Sequence, residues 1–129
     1  MGEAEAREWL SFAVDDLESA VFLLGMPKRK LEIICYHAQQ CAEKSLKSIV
    51  ASSGGAVPRT HDLRVLSSTA FEFGVSLRSL ESELALLQPY SVAVRYPHGL
   101  DLVPGDETVA ISAAKAVLDF CATNTTTPR

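Results

Sequence analysis

No apolar run in this 129-residue chain approaches the ~18 to 20 residues that a membrane-spanning helix needs, so a span of that kind is excluded. Cysteine is scarce. Cys35, Cys41 and Cys121 form no CxxC pair and are odd in number, which indicates neither a zinc knuckle nor a disulfide framework and leaves buried free thiols as the expectation. The period-two alternation of a half-buried strand is almost absent, and no internal repeat or interdomain linker interrupts the chain. There is also no dense Lys/Arg stripe, and with a net charge of −4 tight non-specific binding of nucleic acid is not expected. The opening MGEAEAREWL is acidic where a secretory signal is basic, and Ala6 stands where a myristoylation motif has Ser or Thr. The expectation is a cytoplasmic protein without membrane attachment.

What is present reads as one soluble helical domain. The composition, 47% hydrophobic and 22% charged, is that of an ordinary globular chain long enough to bury its own core. From about Glu3 to Leu24, Trp9, Ala13, Leu17, Ala20 and Leu24 recur at three- and four-residue steps, flanked by Leu10, Val14 and Val21, until Gly25 and Pro27 stop the helix. A second helix is predicted from about Leu31 to Ala51, with Ile34, Ala38, Cys41, Ala42, Ser45 and Ile49 inward, ended by SSGGAVP. Thr60 or Asp62 caps a third, with Leu63, Leu66, Ala70 and Phe73 inward, ending near Gly74. Ser76 caps a fourth, which Pro89 kinks or ends, and Asp106 caps a fifth that runs to about Ala122 on Val109, Ala113, Ala116, Val117 and Phe120. Residues 123–129 read as a frayed tail outside a domain core of about 3–122.

Long amphipathic helices with short connections favour an all-α, up-and-down four-helix bundle, here with an additional short helix, five helices in one domain over residues 1–129. Phe12, Phe22 and Leu23 fall outside the main stripe of the first helix and leave apolar surface for a second copy of the chain, so a homodimer is expected.

Charge is unevenly placed. Residues 1–25 carry six acids against Arg7 alone, whereas residues 28–95 carry nine bases against six acids, a balance open to a small anionic ligand or a short single strand. On the second helix, Tyr36, His37, Gln40, Glu43, Lys44 and Lys47 share the face opposite Ile34, Ala38, Ser45 and Ile49. Gln40 offers a donor and an acceptor, Lys44 and Lys47 offer positive charge, and imidazole titrates near neutrality. The stripe reads either as a nucleotide or phosphate site or as a solvated face with Glu43 paired to Lys47 at i,i+4.

A second candidate is VRYPHG, residues 94–99. Arg95 and His98 are the residue types of a phosphate clamp and a proton-transfer group, and Tyr96 is able to stack on a base. Pro97 disfavours helix at Tyr96, so Arg95 and His98 need not point together. Arg95 reads as an anchor for a phosphate or a partner for a carboxylate such as Asp16. His61 reads as part of a helix cap.

Four pieces in order, AVDDLESAVFLL, HAQQCAEKSLKSI, THDLRVL and YSVAVRYP, resemble the HEPN domain over about Trp9 to Ala122. The resemblance implies a five-helix bundle, usually dimeric, often paired with a minimal nucleotidyltransferase as toxin and antitoxin. Many members are metal-independent ribonucleases that use an Arg followed, after four to six residues, by a His. This chain departs from that pattern, with two residues between Arg95 and His98.

The expectation is therefore a nucleotide-binding or partner-binding module, with His37, Gln40, Lys44, Lys47, Arg95 and Tyr96 as ligand-binding residues and no metal or cofactor. One alternative is a toxin ribonuclease with Arg95 and His98 as a degenerate catalytic pair acting on single-stranded RNA. The other is a non-catalytic interaction scaffold.

Overall fold

The computed structural model describes residues 2–91 and 101–125, and among them there is no strand. Helix α1 spans Glu3–Leu23, with Glu3 and Glu5 in the first turn, where carboxylates complement the helix dipole. Helix α2 spans Leu31–Ser52. Its end is set by Gly54, whose φ of 83° is left-handed, so that Gly54 N–H reaches Ala51 O and Gly55 N–H reaches Val50 O. Helix α3, Leu63–Glu72, starts where Asp62 Oδ1 accepts from Arg64 N–H at 2.9 Å, as a capping Asp should.

Ser76 Oγ accepts from Arg78 N–H at 3.3 Å, but the segment after it first makes a tighter 3₁₀ turn, Arg78–Leu80, before the seven-residue helix α4, Glu81–Leu87. Pro89 lies in a second 3₁₀ turn, Gln88–Ser91, so the α-helix ends ahead of it as the missing N–H requires. Helix α5 spans Asp106–Thr125, three residues beyond the expected end. Asp106 is the first residue of that helix rather than its cap, and its carboxylate accepts from Val103 N–H in the preceding loop.

Helix α2 is the axis of the bundle, packed against α1, α3, α4 and α5, while α5 also touches α1 and α4. Leu46, Ile49, Leu63, Leu66, Leu87 and Val117 are fully buried, each contributing about 1.5–3 kcal/mol by removal from water. Cys35, Cys41 and Cys121 are buried free thiols; burial pushes Cys35 and Cys41 up to about 12 and raises Cys121 as well. Four inward assignments fail, those of Val14 and Val21 on α1 among them. Val109 is exposed because α5 turns Ala110, Ala114, Leu118 and Cys121 to the core, and Phe73 is exposed because it stands beyond the last turn of α3. On α1, Ala6, Ala13 and Ala20 are buried while Val14 and Val21 are exposed, so small residues form the α1–α2 seam and let the two long helices approach closely.

Candidate functional site

Because α2 is covered on several sides, every residue from Ala38 to Ala51 except Lys44 is buried. That corrects the reading of its polar face as solvated. Gln39, Gln40, Glu43 and Lys47 are inside the protein, and burying such groups is tolerable only if each finds a partner.

They do. Glu43, 3% exposed at its side chain, is the hub. One oxygen accepts from Lys47 Nζ at 2.8 Å, and the other lies 2.9 Å from His61 Nδ1 and 3.2 Å from Gln40 Nε2. Gln40 also donates to Gln39 Oε1 at 2.8 Å, and Gln39 donates to the His61 carbonyl at 3.1 Å. The Lys47 ammonium lies 5.2 Å from the ring centre of Trp9, within cation–π range. The predicted i,i+4 pair therefore exists, but in the interior, where geometry and not propensity decides its value.

One turn away, Asp16 of α1 forms a second junction. Its Oδ1 lies 2.9 Å from His37 Nδ1, and its Oδ2 accepts from Lys44 Nζ. With the carboxylate as acceptor, His37 donates through Nδ1, which leaves Nε2 as the acceptor nitrogen of the neutral ring. His37 and Lys44 keep 29% and 25% of their side chains exposed, whereas Lys47 keeps 9%. The stripe thus has a buried half at Gln40, Glu43 and Lys47, bordered by the His61 side chain at 57% exposed, and a more accessible half around Asp16. Beside His37 is an open depression of about 610 Å³ walled by Asp15, Glu18, Ser19 and Phe22, an acidic lining of which Lys44 is not part.

This arrangement brings His37 and Lys44 onto one carboxylate and separates them from Lys47 and Gln40, which another carboxylate holds. The expected partner for Arg95, Asp16, already holds the His37 imidazole and the Lys44 ammonium; Arg95, Tyr96 and His98 lie outside the described residues. His61, read as part of a cap, is instead the second base on Glu43, while Asp62 alone caps α3. The THD order is what a sequence shows of it; the contact across to α2 depends on the fold. No group of three His, Cys, Asp or Glu fit for a metal ion occurs among the described residues, and no helix there is long and apolar enough to cross a membrane.

The HEPN domain family matches residues 6–124. Among solved structures, TT1696 from Thermus thermophilus is similar, with 25% identity, a TM-score of 0.79, and coverage of 92% of this chain and 97% of that one. ST0689, an archaeal HEPN homologue, shares the fold at 22% identity and a TM-score of 0.71, covering 93% of this chain and 97% of its own. No curated protein matches the chain.

Proposed function

Since this chain belongs to the HEPN domain family, we propose that it is a dimeric binding module for a nucleotide or for a nucleotidyltransferase partner, with no catalytic step of its own. The observation that carries this reading is Asp16, which orients an imidazole and an ammonium at the accessible end of the α2 stripe. The remaining ammonium protons of Lys44 suit a phosphate oxygen and the second ring nitrogen of His37 suits an N–H on a base edge, and Arg95 and Tyr96 are assigned to the same ligand as phosphate anchor and stacking platform. Gln40 and Lys47 act from within, as part of the framework that holds α2 against the 60–62 loop. The alternative ribonuclease reading rests on Arg95 and His98 alone.

The test is a thermal-shift titration with AMP and ATP. A nucleotide is expected to raise the melting temperature, and the rise is expected to vanish in Lys44→Gln with Arg95→Ala, each compared with its own nucleotide-free baseline because Lys44 also holds Asp16. Co-expression with a minimal nucleotidyltransferase is expected to give a stable complex. No rise with either nucleotide, together with no complex, defeats the proposal.

A further inference from the structure

The walls of a second cavity belong to α3 and to residues 76–89, which include α4 and parts of the 3₁₀ turns on either side of it, and none of its residues is part of the α2 stripe. It is a groove of about 870 Å³. Leu77 and Leu84, both core residues, form its floor, so the floor is continuous with the packed interior. Arg64 stands on one wall and Arg78 on the other, and Phe71, 68% exposed, projects at the edge.

We infer that this groove docks an acidic amphipathic helix of a partner protein. The inference is independent of the function proposed above. Its first support is charge. In a chain with a net charge of −4, the groove sets two guanidiniums against Glu81 alone. Arg64 makes two long 3.4 Å contacts to Asp62 from a side chain that is 81% exposed, where such a pair is weak and a partner carboxylate can compete for it, and Arg78 has no ion pair among the described residues.

The second support is surface chemistry. Exposed aromatic residues and arginines are both enriched at protein interfaces, and Phe71 shares this groove with Arg64 and Arg78. A lone phosphate has no use for that floor, whereas an amphipathic helix lays its apolar face on it and its carboxylates against the two walls.

The third support is rigidity. Gln88 Oε1 accepts from Leu63 N–H at 2.8 Å, tying the end of α4 to the start of α3 and holding the walls at a fixed separation. A preformed groove spares the partner the cost of opening it.

Fluorescence anisotropy with the full chain tests this. The probe is a synthetic helical peptide of about 15 residues with Leu and Phe along one face and Glu flanking it, against the same peptide with Lys for Glu. The acidic peptide is expected to bind at least about tenfold more tightly, with affinity falling as salt rises. R64E/R78E is expected to reverse the preference, and Phe71→Ala to weaken binding of the acidic peptide, with circular dichroism and melting temperature close to the parent in both. Equal affinity for the two peptides, or no change in R64E/R78E, overturns the inference. So does displacement of the peptide by inorganic phosphate or ATP, which would assign the groove to a small anion. A fall from two-chain to one-chain mass in R64E/R78E would assign it to a second copy and overturn the inference equally.

Discussion

Glu43 shows how much a single buried carboxylate decides. It holds Lys47, His61 and Gln40 at once, and its removal leaves an ammonium in the interior with only the face of Trp9 for company. An uncompensated buried charge is far more costly than a missing pair, so Glu43→Ala is expected to lower unfolding stability by about 3–5 kcal/mol. Lys47→Met placed in the same background should restore much of the loss by removing the orphaned charge. Urea denaturation of the single and double variants measures both. A double variant no more stable than Glu43→Ala would show that the network matters through packing and not through charge. His61 belongs to this residue-scale account too, because its role depends on a contact between a loop and a helix 18 positions earlier in the chain.

At the scale of elements, the connection between α3 and α4 is controlled from outside either helix. Gln88→Ala removes the acceptor for Leu63 N–H, at a cost of about 1 kcal/mol, and frees the start of α3. Hydrogen exchange at the Leu63 amide should accelerate while the amides of α2 stay protected; an unchanged Leu63 rate would mean the bond does not hold the walls together. Helix α5 offers a pH test at its first turn. Burial pushes the Glu107 carboxyl up, but hydrogen bonds from Arg29, from its own backbone N–H and from Gly105 N–H hold it below the usual carboxylate range. A carboxyl with a lowered folded value stabilises above its unfolded value, about 4.3, and loses that contribution as pH falls through the folded one. Wild type is therefore expected to exceed Glu107→Gln in stability at pH 7, with the difference closing on acidification. A difference that persists at low pH would place the effect in packing.

At the scale of the whole molecule, the faces left uncovered matter most. Phe22 is 81% exposed and Phe12 48% exposed on α1, next to acidic residues that balance the basic middle of the chain. The proposed homodimer predicts a sedimentation mass of twice 13.9 kDa, and Phe22→Glu, at an exposed position, should shift it toward a single chain without altering the helical spectrum. One-chain mass for the wild type would remove the dimer from the proposal. Membership of the HEPN family agrees with the bundle read from the period of apolar residues, since helix number, order and most boundaries depend on local signals: the glycines after α2 and α3, Asp62 at the start of α3, and Pro89 after α4.

The sequence by itself determined the all-helical class, the ends of the long helices and the buried thiols, because caps, breakers and three- to four-residue spacing act over one or two turns. It also showed the Glu43–Lys47 pair, though not on which side of the protein surface that pair lies. Only the tertiary structure decided that α2 is enclosed, that its cations divide between Asp16 and Glu43, and that Arg64 and Arg78 face each other across a groove. The physical reason is range. A helix face is polar or apolar by composition alone, but whether water reaches it depends on which elements fold back over it from distant parts of the chain.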